Sequence, residues 1–307
     1  AMTFTIYSHP DCEAHVTPPG HPERVDRMPA VLKALSDIKA DWVEAPLAED
    51  APLLRAHPAD YVAKVTTAPA DGWTSLDPDT HISATSAPAI RRAAGANIAA
   101  VDLVMGGQAN AAFCATRPPG HHAEKETAMG FCFLANASIA VLHAIEAHGA
   151  KRVAIADFDV HHGNGTQDVF WDDPRVAFAS SHQSPLYPGT GMEHETGAGN
   201  IHNATIPPMG GTAEFRQVWN DRLLAAIDAH APDLIIISAG FDDHTRDPLA
   251  NLNVTDEDFA WITEKLCDLA DKHAKGRVVS TLEGGYDLSG LATGAAAHVK
   301  VLAERCA

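Results

Sequence analysis

The chain has 307 residues, 46% hydrophobic and 20% charged, a balance that supports a large buried core and argues against disorder. Its 40 acidic against 22 basic side chains give a formal charge of -18, which repels phosphate backbones, so no nucleic-acid partner is expected. No apolar run approaches the ~18 residues of a membrane span and no basic-then-apolar leader is evident, so a membrane partner is not expected either. Five cysteines (Cys12, Cys114, Cys132, Cys267 and Cys306) form no C-x-x-C pair, which predicts buried free thiols and a reducing, cytoplasmic setting. The 18 histidines are the anomaly, and their organisation is the question.

In chain order, the first third is rich in Pro and His (His9-Pro10, Pro18-Pro19, His21-Pro22, His57-Pro58, Asp77-Pro78) and predicts loops and short helices wrapped over a sheet. A helix is predicted over Ser86–Met105, ending at Gly106-Gly107, then a strand over Asn110–Ala115. A helix over Asn136–His148 stops at Gly149, and strands come next at Arg152–Asp157 and Val176–Ser180. A helix over Ala213–His230 stops before Pro232, with a strand after it at Leu234–Ser238. A helix over Asp256–His273, a strand at Val278–Leu282 and a helix over Leu288–Glu304 complete the pattern. The strands are continuously apolar rather than alternating, as when helices cover both faces of a parallel sheet. The expected fold is α/β: one domain over residues 1–307, with a mostly parallel sheet flanked by helices on both faces. Ligands of such sheets sit beyond the carboxyl ends of the strands, so the residues just past each strand matter most.

After Asn110–Ala115 comes Arg117-Pro118-Pro119-Gly120-His121-His122-Ala123, two adjacent imidazoles in a Pro-Gly-stiffened loop, and then Gly130-Phe131-Cys132-Phe133 and Asn136. After Arg152–Asp157 comes Asp157-Phe158-Asp159-Val160-His161-His162-Gly163-Asn164-Gly165-Thr166. If extended geometry continues there, Asp157, Asp159 and His161 share a face, and Asp159 and His161 can converge as an oxygen and a nitrogen ligand. Leu234–Ser238 leads into Ala239-Gly240-Phe241-Asp242-Asp243-His244 and Asp247-Pro248-Leu249, a third carboxylate at the same sheet end. Val278–Leu282 leads into Glu283-Gly284-Gly285-Tyr286, a phenol beside a glycine pair. Each motif alone has a bland reading as a turn or a satisfied loop histidine. Together, each after a strand, they make the donor set of a catalytic metal with an open position.

RPPGHHA at 117–123, GFCFLAN at 130–136, DFDVHHGNGTQ at 157–167, SAGFDDHTRDPL at 238–249 and LEGGY at 282–286, with HPER at 21–24, resemble the histone deacetylase family across essentially the whole chain. Asn164 and the Gly-Thr-Gln after it are similar to the class II branch, which includes bacterial deacetylase-like amidohydrolases. The resemblance implies an arginase/deacetylase fold and a zinc-dependent hydrolase of linear amides. It implies one zinc held by Asp159, His161 and Asp242, with His121 and His122 as tandem imidazoles. Asp157 would partner His121, Asn164 would face His122, and Tyr286 would polarise the substrate carbonyl. Gly130, Phe131, Tyr187 and Leu249 would line a narrow channel for an acylated amine or acyl-lysine. It further implies a potassium ion near Asp157, using that side chain, Ser180 and main-chain oxygens of Asp159, His161 and Ser181. A second monovalent cation would rest on main-chain oxygens of Phe170, Asp173 and Val176.

Three other readings compete. A dinuclear ureohydrolase on the same fold needs further carboxylates where this chain has Gly163 and His244. An acetylpolyamine deacetylase of one branch carries an acid after Asp-Pro, where this chain has Leu249, although Glu193 or Glu195 could supply charge from other loops. A non-catalytic acyl-binding module would not need Tyr286. Asp77 and Asp79 both lie where the family places a substrate-backbone acceptor, and His9, His15 and His21 are open candidates for the entrance. His182 and Arg117 are expected to be structural. Entrance loops are expected from the first third or from a partner subunit, which leaves a homo-oligomer open.

Overall fold

The structure is a computed structural model and describes residues 2–306. In chain order it contains β1 (Thr5–Ser8), α1 (Arg27–Leu35), β2 (Asp41–Glu44), α2 (Asp50–Leu53), α3 (Ala59–Thr66), β3 (Trp73–Asp77), β4 (Thr80–Ser83) and α4 (Ser86–Met105). Next are β5 (Ala111–Cys114), α5 (Asn136–His148), β6 (Val153–Asp157), α6 (Asn164–Phe170), β7 (Val176–Gln183), β8 (Ile201–Ile206) and α7 (Thr212–Val218). The last elements are α8 (Leu224–His230), β9 (Leu234–Ala239), α9 (Asp256–His273), β10 (Val278–Leu282) and α10 (Leu288–Arg305). No helix among the described residues is long and apolar enough to cross a membrane.

Eight strands form one sheet in the order β2-β1-β5-β10-β9-β6-β7-β8, and every pairing in it is parallel. The period of two divides each central strand between two cores. Ile235 and Ile237 pack on one face with α1, α9 and α10, while Leu234 and Ile236 pack on the other with α4 and α5. Helices on both faces explain why these strands read as unbroken apolar runs. The five predicted strands and five predicted helices are present with ends shifted by a few residues at most; only the helix over 213–230 is interrupted. It begins at Thr212 and winds as a π turn over Trp219–Leu223 between α7 and α8.

Three strands of the sheet were not expected. β1 and β2 come from the first third of the chain, which builds one edge of the sheet rather than only wrapping over it. β2 reads Asp-Trp-Val-Glu and is exposed throughout, because an edge strand buries little and needs no apolar run. β8 closes the other edge with the mixed sequence Ile-His-Asn-Ala-Thr-Ile, partly open to solvent at His202 and Thr205. A separate hairpin, β3 with β4, stands beside the sheet.

Helix entry geometry anchors the loops at the carboxyl ends of the strands. Thr255 and Asp258 form a capping box at the start of α9. The Asp287 side chain, one residue after Tyr286, accepts from the Gly290 N–H at 2.7 Å and caps the start of α10.

Candidate active site

The four motif-bearing strands, β5, β6, β9 and β10, are scattered in sequence but adjacent in space as β5-β10-β9-β6. Their carboxyl ends therefore deliver the histidine pair, Tyr286, Asp242 and the Asp157–His161 stretch to one place. Asp159, His161 and Asp242 are all buried, and one donor atom from each lies within 4.8 Å of the others. His161 Nδ1 is 3.0 Å from Asp242 Oδ2 and 3.3 Å from Asp159 Oδ1. The remaining carboxylate oxygens are pinned by main-chain donors: the Gly284 N–H donates to Asp159 Oδ2 at 2.9 Å, and the Val160 N–H to Asp242 Oδ1 at 3.0 Å. A Cβ at Gly240 would collide with the Asp159 carboxylate, and one at Gly284 with both carboxylates, so the backbone is drawn in close around this point. Burial pulls His161 down, yet hydrogen bonds and charge from Asp159 and Asp242 push it up to about 10. Two buried carboxylates thus call for positive charge among these three side chains, which a bound cation would supply with the imidazole neutral. This oxygen-oxygen-nitrogen set fits a catalytic divalent ion with room for a further ligand.

The tandem imidazoles lie with ring centroids 4.1 Å apart. His121 Nδ1 is 2.8 Å from Asp157 Oδ2, and its Nε2 is 3.7 Å from Asp159 Oδ1. Burial alone would lower His121, but Asp157, Asp159 and Glu283 outweigh it and hold it well above its ordinary value. For His122, burial and then the neighbouring His121 and His161 all push downward, well below the ordinary value. Two adjacent rings are therefore driven to opposite protonation states. The tautomer of His122 is set by its partners. Asn164 donates its Nδ2 to Glu124 Oε1 at 2.9 Å, so Asn164 Oδ1 is the atom 2.7 Å from His122 Nδ1. An amide oxygen only accepts, so His122 keeps its proton on Nδ1 and leaves Nε2 with a free lone pair.

Tyr286 is 8% exposed, its ring capped by the Arg27 guanidinium at 4.9 Å from the centroid. Burial raises its phenol well above the ordinary value and Arg27 offsets this only in part, so the hydroxyl stays protonated and can donate. Its backbone N–H donates to Asp247 Oδ2 at 2.8 Å, and the Leu249 N–H donates to Asp247 Oδ1 at 2.9 Å. Arg27 also donates to the carbonyls of Gly285 and Glu283. Glu283 Oε2 accepts the N–H groups of Gly120 at 2.8 Å and His121 at 3.1 Å, tying the β10 end to the histidine loop.

These groups open onto a cavity of about 300 Å³ with His122, His161 and Tyr286 at its buried end. Phe131 and Tyr187 wall it, Phe131 edge-on to Tyr286 at 5.7 Å and Tyr187 edge-on to His122 at 5.4 Å. Gly130, Leu249, Asp79 and His21 complete the lining together with Pro22 and Leu186. Asp79 rather than Asp77 reaches the cavity. His15 lies buried against Ser86 and His9 caps a short turn, so of the three entrance candidates only His21 lines it. Glu193 pairs with Arg222 and Glu195 is held by Gln167 and two backbone N–H groups, so neither lines the cavity. His182 bonds Ser180 and the Gly191 carbonyl, and Arg117 binds Glu23 and the carbonyls of Cys12 and His15, both structural as expected. All five cysteines are buried and free. A larger depression of about 570 Å³ lies by the amino end of β1, between α1 and α10, with no histidine or tyrosine in its lining.

Where potassium is expected, Asp157 pairs in register with Ser180 across β6 and β7; the Ser180 hydroxyl meets His182, and the Ser181 hydroxyl, on the opposite face of the strand, accepts from Trp219 Nε1. The second cation fares differently. The carbonyls of Phe170, Asp173 and Val176 do converge, but on the side-chain nitrogen of Asn200, so an ion does not fit there as expected. One other cluster, Asp102 with His143 and His148, has metal-ligand composition. Arg55 donates to His143 Nδ1, which leaves the proton on Nε2, and this donates to Asp102 at 2.7 Å. That cluster is a hydrogen-bonded tie between α4 and α5.

Glu124, Glu283, Arg27 and Asp247 are functional neighbours that sequence reasoning missed. Their partners are mostly main-chain atoms of other loops, which no spacing announces; the signal available was only that Glu124 and Glu283 stand within three residues of motif histidine or tyrosine.

Comparison with known proteins identifies the family. The model of the histone deacetylase domain matches residues 21–302. The chain is 38% identical to a histone deacetylase-like amidohydrolase of Pseudomonas aeruginosa, over 83% of this chain and 70% of that protein. It is 35% identical to a probable deacetylase of Archaeoglobus fulgidus, over 94% of this chain and 83% of the other. The crystal structure of the HDA15 HD domain superposes with a TM-score of 0.93 at 32% identity, covering 99% of this chain and 90% of that one.

Proposed function

Because the chain belongs to the histone deacetylase family, we propose that it is a zinc-dependent hydrolase of acyl-amide bonds, with acetyl-lysine-like substrates foremost. The observation that carries this reading is the convergence of Asp159, His161 and Asp242 at the end of a cavity that also presents Tyr286 and the free Nε2 of His122. Asp159, His161 and Asp242 would hold the zinc, which when bound would supply Lewis acidity to a water and to the scissile carbonyl. His122, neutral and with its lone pair on Nε2, takes the attacking water's proton and returns a proton to the leaving amine. His121, held protonated by Asp157, stabilises negative charge developing beside it. Tyr286 donates a hydrogen bond to the carbonyl oxygen as it becomes an oxyanion, aided by the positive charge of Arg27 over its ring. Phe131 and Tyr187 pack on the aliphatic stem of the acylated amine and exclude water. Asp157 and Ser180, with main-chain oxygens of Asp159, His161 and Ser181, would hold a potassium ion, whose charge would offset that of the buried Asp157.

Leu249 in the cavity lining, with Glu193 and Glu195 engaged elsewhere, weighs against a polyamine; Asp79, the carboxylate that does line the cavity, is the group that would receive the charge of a cationic amine. His244 pairs with Asp256 at 3.2 Å and not with the metal-site carboxylates, which disfavours a dinuclear centre.

The test is turnover of an acetyl-lysine peptide by the zinc-loaded protein, with chelator and hydroxamate controls. Tyr286→Phe is expected to lose ~10²–10³ in rate with zinc retained. Asp242→Ala is expected to lose the metal itself. A Tyr286→Phe protein keeping more than about a tenth of the rate would remove the tyrosine from this role, and a full zinc complement in Asp242→Ala would overturn the ligand set.

A further inference from the structure

The fold's kinship points to a second monovalent cation on the carbonyl oxygens of Phe170, Asp173 and Val176, in the turn between α6 and β7. In this chain that point is already filled. Asn200 Nδ2 lies 2.8 Å from the Phe170 oxygen, 2.9 Å from that of Asp173 and 2.9 Å from that of Val176. Three main-chain oxygens gathered around one point form a hard-donor cradle of the kind that takes an alkali or alkaline-earth cation.

The orientation of the amide is fixed from its other end. The Ala198 N–H donates to Asn200 Oδ1 at 3.0 Å, so reversing the amide would set its NH₂ against an N–H and its oxygen against three oxygens. An amide nitrogen carries only two hydrogens, so three acceptors exceed its hydrogen-bond capacity. What the third oxygen meets is the partial positive charge of the NH₂ group. Asn200 is 6% exposed, and its own carbonyl accepts the Phe178 N–H at 2.9 Å, so the residue is clamped on both sides of the side chain.

We propose that Asn200 replaces the second monovalent cation in this protein, its side-chain nitrogen serving as a built-in positive group in the Phe170–Asp173–Val176 cradle. The placement has a use. Phe170 is the last residue of α6, and Asn164, which orients His122, is the first. The amide therefore anchors the far end of the helix that holds the His122 partner, and does so at any potassium concentration. The inference does not depend on the hydrolase reading, since it concerns which ion the fold holds.

Thallium(I), a potassium surrogate with a strong anomalous signal, tests it in crystals of the full chain with its metal bound. The wild type is expected to show no anomalous peak among the three carbonyls. Asn200→Asp turns the same position into a carboxylate facing three oxygens, which is tolerable only with a cation between them. That variant is expected to show the peak, and to gain several degrees in Tm in potassium over choline beyond any gain of the wild type. Should the aspartate variant not fold, Asn200→Ser removes the amide, leaves the space open and is read the same way. A thallium peak in the wild-type cradle, with the amide rotated out, overturns the proposal. So does a variant whose cradle stays empty, since the three oxygens would then never have been a cation site for an amide to fill.

Discussion

At the scale of single residues, the chemistry depends on side chains whose orientation is dictated by a neighbour. His122 illustrates this: its tautomer is set by Asn164, whose amide is set in turn by Glu124. Glu124→Ala frees the Asn164 amide to reverse and to present its NH₂ to His122 Nδ1, moving the ring proton to Nε2 where the base is needed. The expected outcome is a loss of about tenfold or more in kcat, with KM and zinc content unchanged, the range usual for partners that orient a functional imidazole. Steady-state kinetics with metal analysis check it, and a variant at full kcat would show that Glu124 does not control the ring. The sequence made His121, His122, Asp159, His161, Asp242 and Tyr286 legible because each is a polar residue just past an apolar strand. It did not expose Glu124, Glu283 or Asn200, whose work is done through contacts with distant backbone or with a residue 40 positions away.

Between elements, the first third of the chain is locked to the site by a buried charge cluster. Glu23, fully buried, receives Arg117 at 2.9 Å and Arg27 at 3.0 Å, and Arg27 reaches on to the backbone of Glu283 and Gly285. Burial would raise the Glu23 carboxyl, but Arg117 and then Arg27 bring it down to about 2. Glu23→Gln leaves two buried guanidinium groups without a counter-charge, which typically costs on the order of 3–5 kcal/mol. At roughly 2–4 °C per kcal/mol for a chain of this size or somewhat smaller, a Tm drop of about 10 °C is expected in a thermal melt. A Tm within a degree or two of wild type would mean that the cluster does not join the first third to the β10 loop. The central strands could be read because burial on both faces leaves an unbroken apolar run. β1, β2 and β8 escaped because edge strands and short strands carry mixed sequences, and their pairing partners lie far along the chain.

For the molecule as a whole, acidity sets the limits of stability. Burial, with Arg117 adding to it, lowers His15 to about 3, and burial alone lowers His298 to about 3, against an ordinary value of 6.5. Both are therefore neutral when folded. Above pH 6.5 neither state binds these protons and the contribution is complete. As pH falls from 6.5 toward 3, the unfolded chain takes up protons that the folded chain refuses, and stability declines by up to about 1.4 kcal/mol per pH unit for each histidine. His298→Gln, which can still meet Thr263 and Ser280, is expected to reduce the slope of unfolding free energy against pH by close to one proton between pH 6 and 4. Urea unfolding across that range measures it, and an unchanged slope would mean that His298 is not the buried neutral group described. The position of β10 carries a consequence for how such a protein is made. It follows every other described strand of the sheet in the chain yet lies between β5 and β9 in the middle of the sheet. Until it emerges from the ribosome, the nascent chain holds two half-sheets with raw, apolar inner edges, the arrangement most prone to sticking to other chains. Removal of β10 would thus yield not a weakened enzyme but a chain with a missing keystone, its two half-sheets parted.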